Sequence, residues 1–503
     1  MTHAATVRLD SQHHVGEIDR RIFGGFAEHL GRCIYEGIYD PGSPLADENG
    51  FRTDVLGALK RLDMPVMRYP GGNFVSAYNW EDGVGPRDAR PKRPDFAWRS
   101  VENNQFGTDE FMQWAKQLGT APMMAVNLGT RGAEAAGNLL EYCNFSTDTK
   151  YANLRREHGH AEPYDVKLWC LGNEMDGPWQ AGHVPAHVYA RRAREAGALM
   201  KGLDPTIETV ACGSSALTMP TYLAYDREVL EYAWDQVDYV SAHRYSENYH
   251  DETGWFLAEG VEIDRVLDDY AGLLAYVRGM KKSAKQVYVS FDEWNVWYRA
   301  REGDAMDGHW TEAPPLLEEQ YNLEDAIVCA QYLSAFIRRA DLVKIACIAQ
   351  VVNVIAPLLT KADGLLVQSI FHPFEWFSKH ARGKSLRPAI ESPTYDAGKR
   401  GEVPALDVSA TFDESANSAA VFLVNRNHTT DLTVTVEFDD LDIASIEGVD
   451  LLGGGDVKAT NTWENPDAVK PQGGKAESVG RGVKVTVPAP GLAVVRLKVA
   501  NRA

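Results

Sequence analysis

The sequence predicts an α/β protein: a (β/α)8 TIM barrel with a C-terminal antiparallel β-sandwich of the jelly-roll-like kind. Short apolar runs alternate with longer amphipathic stretches eight times, which is typical of a parallel barrel. After residue 383 the helical periodicity stops, and short segments of alternating apolar and polar residues indicate an antiparallel sandwich. With 503 residues the chain exceeds the usual size of one hydrophobic core, so two domains are expected.

Each predicted barrel strand is a short apolar run bounded by polar or turn-forming residues. In chain order the runs span residues 21–30, 65–70, 121–128, 167–174, 208–213, 237–245, 286–293 and 344–351. The amphipathic stretches that predict helices include residues 52–62, 108–118, 185–203, 264–281 and 323–339. The alternative is a doubly wound open sheet, but it accounts for fewer strands, and no G-x-G-x-x-G sequence opens a helix.

The predicted sandwich strands are separated by Gly, Asn, Asp and Pro residues and span 405–411, 419–424, 432–438, 483–487 and 492–499. Residues 5–10 alternate in the same way although they precede the first barrel strand, so we expect them to pair into the sandwich. The predicted domains are therefore a catalytic barrel at 17–383 and a discontinuous sandwich at 1–16 plus 384–503.

Charge and composition restrict the class of partner. The chain has 51 basic and 71 acidic residues, a net charge of −20, and a field of this sign repels phosphate backbones and anionic membranes. We therefore expect no nucleic-acid or membrane partner and a neutral substrate such as a sugar. The N-terminus has no apolar export segment, and polar residues interrupt the most apolar stretch, 345–359, which predicts a cytoplasmic protein.

The cysteines argue against a metal site. None of the six forms a C-x-x-C pair, and several lie in apolar strand-like runs, so they are interpreted as buried thiols in a reducing compartment. A structural zinc site is the alternative, although the ligand spacing that it needs is missing. No phosphate-cradling loop is recognisable either, so neither a metal nor another cofactor is expected.

Two glutamates end predicted strands in similar surroundings. Glu174 follows the apolar fourth run, and Glu293 follows the apolar seventh run, each flanked by Asn and Trp residues. Barrel enzymes carry their chemistry at the carboxyl ends of the strands, and glycoside hydrolysis needs one carboxylic acid and a second carboxylate. Strands four and seven are three places apart around eight, so these side chains can face each other. We predict that they form the catalytic pair.

Other strand ends supply amide, phenol, imidazole and indole groups, a set that suits a sugar because hydroxyl groups need donors and acceptors on every side. Arg68, His243 and Tyr245 are placed to donate hydrogen bonds to Glu293, which would then be the nucleophile, with Glu174 as the acid/base. Simpler roles remain open for several of these residues. Glu28 could pair with Arg32 or Arg68, and His243, Gln350, Trp98 and Trp297 could be packing or internally bonded residues.

Four longer motifs resemble the α-L-arabinofuranosidases of glycoside hydrolase family 51. They are Gly172-Asn173-Glu174-Met175-Asp176-Gly177-Pro178-Trp179, Asp292-Glu293-Trp294-Asn295-Val296-Trp297-Tyr298, Arg68-Tyr69-Pro70-Gly71-Gly72-Asn73-Phe74 and Tyr78-Asn79-Trp80-Glu81-Asp82-Gly83. The resemblance covers essentially the whole chain. It implies a retaining, exo-acting hydrolase that releases terminal arabinofuranose from arabinan- or arabinoxylan-derived oligosaccharides, and a cytoplasmic homo-oligomer, often a hexamer.

The resemblance also implies individual roles. Glu174 would be the acid/base and Glu293 the nucleophile. The furanose hydroxyls would be held by Glu28, Asn73, Asn173, Tyr245 and Gln350, while Trp98 and Trp297 would line the pocket. Two kinds of alternative remain: a β-glycosidase or endoglucanase on the same barrel, and a sugar-binding protein without turnover.

Overall fold

The computed structural model describes residues 3–502, apart from the side chain of Asp304. Its larger part is a closed barrel of eight parallel strands, which confirms the predicted fold class. In chain order the strands are Gly24–Phe26, Val66–Tyr69, Ala121–Ala125, Leu168–Leu171, Glu208–Ala211, Tyr239–Ser246, Tyr288–Val296 and Val343–Ala349. Each neighbours the strand before and after it in sequence, and the eighth closes on the first.

The α-helices among residues 3–502 are Thr53–Leu62, Thr108–Leu118, Ala133–Asn144, Lys150–Glu157, Ala186–Leu203, Ala224–Ala233, Thr253–Phe256, Glu259–Lys281, Leu323–Arg338 and Phe371–His380. None of them combines the length and apolar character that a membrane span requires. Leu323–Arg338 is buried at every position from 323 to 337. Because barrel strands cover one side of this helix and sandwich strands another, its sequence has no polar face, which explains its mixed periodicity.

Two sheets form the smaller part. One contains, in spatial order, Ala389–Glu391, His3–Leu9, Leu432–Phe438, Gly482–Val487 and Ala476–Val479. The other contains His14–Glu17, Lys384–Leu386, Leu406–Asp413, Ser418–Asn425, Gly491–Asn501, Leu441–Gly453 and Gln472–Gly473. Apolar residues from both sheets share a core that is separate from the barrel core.

One ladder of the sandwich is parallel. His3–Leu9 pairs with Leu432–Phe438 in parallel register from His3 opposite Leu432 to Leu9 opposite Phe438. These strands come from distant parts of the chain, so no hairpin forces them to be antiparallel. We propose the domain division 17–383 and 1–16 plus 384–503 on the basis of this pairing and the separate cores; Met1, Thr2 and Ala503 lie outside the described residues.

The seven-stranded sheet also contacts the barrel. In Ser418–Asn425, Val421 faces the sandwich core and Phe422 faces the barrel core, where its ring stacks on Phe377 at 4.1 Å between centroids. Successive strand residues point to opposite faces, and here both faces are buried. This is why residues 419–424 are continuously apolar and the alternation expected of a half-solvated strand is missing.

Candidate active site

The two candidate carboxylates meet at the carboxyl-terminal mouth of the barrel. Glu174 lies just beyond the fourth strand, and Glu293 lies within the extended seventh strand. One side-chain oxygen of each lies within 4.8 Å of the other. Retaining glycosidases hold their two carboxyl groups roughly 5 to 5.5 Å apart, whereas inverting enzymes leave about 6.5 to 9.5 Å for a water molecule. The close approach of the two oxygens agrees with the retaining geometry.

A bulge in the seventh strand turns the side chains of Asp292 and Glu293 towards His243. Ser241 is paired with Ser290 and His243 with Glu293, so the seventh strand has one residue more than the sixth over this interval. Consecutive residues of a regular strand point to opposite faces, but a bulge can redirect a side chain. As a result, Nε2 of His243 lies 3.0 Å from the carboxylate of Asp292, and its Nδ1 lies 3.5 Å from that of Glu293.

Donors surround the carboxylate of Glu293. Arg68 Nη1 donates to one oxygen at 2.7 Å, and the Tyr245 hydroxyl donates to the other at 2.9 Å. The Arg68 guanidinium lies 4.4 Å from the ring centroid of Phe26 and donates through Nη2 to Asn173 Oδ1 at 2.6 Å. Arg68 is buried, and its pairing with Glu293 compensates for the loss of hydration of both charges.

His243 connects the carboxylates. Its Nδ1 lies 2.9 Å from Glu174 Oε1, and its Nε2 contacts Asp292 on the other side. Burial alone would lower the pKa of His243, but the charge of Glu293 and the hydrogen bonds with Asp292 and Glu174 outweigh this and raise it to about 10. These contacts favour the protonated ring, which can donate at both nitrogens.

A cluster of two carboxylates and an imidazole can also attract a cation, and one atom of each of Glu174, His243 and Glu293 lies within 4.8 Å of the others. Here Arg68 and Tyr245 already donate to Glu293. His243 lies 2.9 Å from Glu174 and can donate to it. The protein's own donors thus already contact both carboxylates, as in an acid–base site.

Glu174 is held in a tight loop. Its φ of 43° lies in the left-handed region, which residues other than glycine seldom adopt and which is often found at functional sites. Trp179 donates through Nε1 to Glu174 Oε2 at 2.6 Å, so each oxygen of Glu174 has a donor. Trp179 is 46% exposed and lines the cavity. It therefore both orients this carboxyl group and faces incoming ligand.

Glu28 belongs to a second hydrogen-bonded group, at the carboxyl ends of the first and eighth strands. Phe74 N–H and Trp98 Nε1–H donate to Glu28 Oε1 at 3.0 and 3.3 Å, and Gln350 Nε2 donates to Oε2 at 3.0 Å. Gln350 Oε1 is buried without a partner, so this wall keeps an acceptor for a ligand. Burial, with a contribution from the charge of Glu293, raises the pKa of Glu28 to about 8.

The remaining predicted residues surround these groups. Asn173 Nδ2 lies 3.3 Å from Asn73 Oδ1, which links the second and fourth strand ends. Trp297 contacts Tyr245 edge to face with centroids 5.2 Å apart, and the Arg301 guanidinium lies 4.4 Å from its ring centroid. The structure thus brings every residue proposed from the sequence into one region, with Arg68, His243 and Asn173 supporting the carboxylates.

A cavity of about 740 Å³ opens above the carboxylates. Its lining contains the proposed catalytic pair together with Glu28, Asn73, Trp98, Tyr245, Trp297 and Gln350. Trp179 and Asp292 have no role predicted from the sequence, although both lie in the family motifs. The only feature of the sequence that could have indicated them is that each lies within five residues of a candidate carboxylate.

The shifted pKa of His243 leads to a stability prediction. Since its folded pKa of about 10 exceeds the unfolded value of 6.5, its contribution is fully present below pH 6.5 and is lost as the pH rises towards 10. His243→Gln should therefore lower the melting temperature most below pH 6.5, and the difference from wild type should shrink steadily up to pH 10. Thermal melts across this range measure it, and a constant difference would contradict the assigned protonation.

A pair of carboxylates at retaining spacing, at the mouth of a (β/α)8 barrel and beside a large cavity rich in polar and aromatic groups, defines a glycoside hydrolase. Comparison with known proteins shows which family of glycoside hydrolases the chain resembles. Models of the α-L-arabinofuranosidase 1 domain and of the α-L-arabinofuranosidase C-terminal domain match residues 58–255 and 292–490.

Individual relatives agree with these matches. The chain is 47% identical over 90% of both chains to an intracellular exo-α-(1→5)-L-arabinofuranosidase of Halalkalibacterium halodurans. It is 43% identical to an exo-α-(1→6)-L-arabinofuranosidase of Bifidobacterium longum, over 92% of this chain and 90% of the relative. A solved family 51 α-L-arabinofuranosidase from Bifidobacterium longum superimposes with a TM-score of 0.95 at 40% identity, covering 99% of this chain and 100% of that one. This chain belongs to the α-L-arabinofuranosidases of glycoside hydrolase family 51.

Proposed function

We propose that the enzyme removes single α-L-arabinofuranosyl residues from non-reducing chain ends, with Glu293 as the nucleophile and Glu174 as the acid/base. The observation that carries this assignment is the different surroundings of the two carboxylates. Glu293 is bonded to the charged Arg68 and to Tyr245, which suits a carboxylate that must attack. Glu174 is bonded to Trp179 at the rim of the cavity, where a leaving group would lie.

The proposed reaction is a double displacement. Glu174 gives its proton to the glycosidic oxygen while Glu293 attacks the anomeric carbon, so that the C–O bond to the leaving group breaks and a glycosyl ester forms. Glu174, now a carboxylate, takes a proton from water, which attacks the same carbon and releases Glu293. His243 donates to Glu174 Oε1 at 2.9 Å and can stabilise the negative charge that appears there.

The wall formed by Glu28, Gln350 and Trp98 is proposed to hold the furanose. Glu28 and Gln350 are hydrogen-bonded to each other at 3.0 Å, and a buried Gln350 oxygen remains free for a sugar hydroxyl. Asn73, Asn173 and Tyr245 would complete the set, and Trp98 and Trp297 would cover the apolar parts of the ring. A connected wall of this kind supports exo action, because a continuing chain would need an open groove in its place.

The relatives' names guide the finer assignments. Since the Halalkalibacterium halodurans relative is named for (1→5) bonds and the Bifidobacterium longum relative for (1→6) bonds, we propose α-(1→5)-linked arabino-oligosaccharides as the main substrates, on the higher identity of the former. Its name also supports an intracellular location. The family resemblance leads us to propose a homohexamer, which light scattering of the purified protein would check.

One assay series tests the proposed function. The wild type is given 4-nitrophenyl α-L-arabinofuranoside, β-D-xyloside and β-D-glucoside, followed by α-(1→5)-arabinobiose and a disaccharide in which arabinofuranose is α-(1→6)-linked to a hexose. We expect the arabinofuranoside to be cleaved with kcat/KM at least about a hundredfold above the other two, since the site is built for one ring shape. Comparable rates on all three aryl glycosides would contradict the substrate assignment. Equal rates on the two disaccharides would contradict the linkage preference.

A further inference from the structure

A hairpin from the C-terminal part of the chain reaches the cavity of the barrel. It consists of Thr394–Asp396 and Glu402–Pro404, which pair antiparallel, and it leads directly into Leu406–Asp413, a strand of the seven-stranded sandwich sheet. The turn between its strands contains Lys399 and Arg400, and both residues line the cavity that holds the catalytic pair. The C-terminal part of the chain thus supplies some of the wall of the active site.

The hairpin is fixed on the segment that follows the sixth barrel strand. The Tyr395 hydroxyl donates to the carbonyl oxygen of Gly254 at 3.0 Å, and apolar side chains of the two segments form a small separate core. Arg400 donates through Nη1 to the carbonyl oxygen of Trp255, and its guanidinium lies 4.1 Å from the centroid of the Trp255 ring. Hydrogen bonds, apolar packing and a cation–π contact together hold the turn of the hairpin in one place.

Arg400 also shares a buried carboxylate with the sixth strand. Its Nη2 donates to Glu259 Oε2, and Arg244 of the sixth strand donates through Nη2 to Glu259 Oε1. Burial alone would raise the pKa of Glu259, but the charges of Arg244 and Arg400 and their hydrogen bonds outweigh this and lower it. Because a buried charge is tolerated only when it is paired, Glu259 depends on both arginines.

Glu259 holds the sixth strand on both sides of Tyr245. Besides the hydrogen bond from Arg244, it accepts one from the Ser246 hydroxyl at 2.9 Å. Alternate residues of a strand share a face, so residues 244 and 246 point one way and Tyr245 points the other. There the Tyr245 hydroxyl donates to Glu293 at 2.9 Å. The residue that bonds the proposed nucleophile is thus placed between two neighbours that are both tied to Glu259.

We infer that Arg400 is a positioning residue for the nucleophile: through Glu259 it fixes the strand end from which Tyr245 donates to Glu293. Displacement of a group at a reacting centre by about 1 Å can cost up to a hundredfold in rate, even when the change that causes it lies outside the centre. The C-terminal part of the chain therefore contributes to the chemistry of the barrel as well as to its stability. The inference rests on the proposed function, in which Glu293 is the nucleophile.

A double-mutant cycle in the full-length protein tests this path, with Arg400→Gln and Tyr245→Phe made alone and together. Arg400→Gln should lower kcat on 4-nitrophenyl α-L-arabinofuranoside roughly tenfold, since the Tyr245 hydroxyl is shifted and not removed. In Tyr245→Phe the hydroxyl is already absent. There the same substitution should change kcat by less than about twofold, which is the usual deviation from additivity.

Arg338→Gln is the matched control. Arg338 also joins the barrel to the sandwich, since it donates to Asp264 at 2.8 Å and to Asp407 at 2.8 Å, but neither of these partners belongs to the sixth strand. Its loss should lower the melting temperature, as loss of Arg400 should, because both variants break an ion pair with a buried member. The kcat of Arg338→Gln should nevertheless stay within about twofold of the wild-type value.

The outcomes separate the inference from the function on which it rests. If Arg400→Gln lowers kcat by the same factor with and without the Tyr245 hydroxyl, or by no more than Arg338→Gln does, the positioning role is overturned. A wild type without arabinofuranosidase activity would contradict the proposed function instead. If Arg400→Gln melts too low for assay, Arg400→Lys goes through the same cycle with the same two outcomes, because lysine keeps the charge beside Glu259 but not the planar fork.

Discussion

Glu293→Gln is expected to lower kcat on 4-nitrophenyl α-L-arabinofuranoside by roughly four to six orders of magnitude, as loss of a nucleophile does in other covalent enzymes. The amide cannot form the glycosyl ester, yet it keeps the shape of the side chain that Arg68 and Tyr245 contact. Initial rates at high enzyme concentration measure the effect. A loss below about a hundredfold would contradict the assignment of Glu293 as the nucleophile.

The glutamine is preferred to alanine because Arg68 is buried against Glu293. Removing one partner of a buried ion pair costs about 3 to 5 kcal/mol, so Glu293→Ala combines lost chemistry with lost stability. Glu208→Gln is a suitable control. Glu208 bonds to Arg21 at 2.6 Å at the opposite end of the barrel, so its variant should keep the wild-type kcat.

Glu174→Ala is expected to reduce kcat/KM on arabinobiose by roughly two to four orders of magnitude, the usual contribution of a general acid. The loss should be far smaller on 2,4-dinitrophenyl α-L-arabinofuranoside, since this leaving group departs without a proton. On this substrate the slow step should be hydrolysis of the glycosyl ester, because no base activates water. Steady-state kinetics on both substrates give the comparison.

Azide separates the two roles. In Glu174→Ala it should restore turnover and yield the α-azide, because it replaces water on the glycosyl ester of Glu293 and the configuration is retained overall. In Glu293→Ala any rescue should yield the β-azide by a single inversion. Equal losses of Glu174→Ala on both substrates, with no azide product, would contradict its role as acid/base.

Local sequence pattern was enough to predict the barrel and the catalytic pair. A buried parallel strand is a short apolar run, and a polar residue at its carboxyl end can only lie at the mouth, so Glu174 and Glu293 were recognisable without coordinates. The predicted strand at 432–438 has the bounds of Leu432–Phe438, because one of its faces packs on the sandwich core and the other is part-exposed. Alternation is readable where only one face is buried.

Where both faces of a helix or strand are buried, the alternation of apolar and polar residues no longer marks the element. Helix Leu323–Arg338 lies between the barrel and the sandwich, and the sandwich strand Ser418–Asn425 packs one face on each core, so neither shows a polar side. The parallel pairing of His3–Leu9 with Leu432–Phe438 was also beyond reach, since the register of strands more than 400 residues apart is set by the core they share.

The sequence by itself thus determined the fold class, the two carboxylates and their family, because each depends on residue types at fixed local spacing. Only the tertiary structure decided how the site is organised. The bulge that turns Asp292 and Glu293 towards His243 arises from the pairing of two strands, and the hydrogen bond from the Trp179 indole to Glu174 arises from the folding of one loop. Such contacts depend on side-chain direction and burial, and neither is encoded in the spacing of residues along one strand.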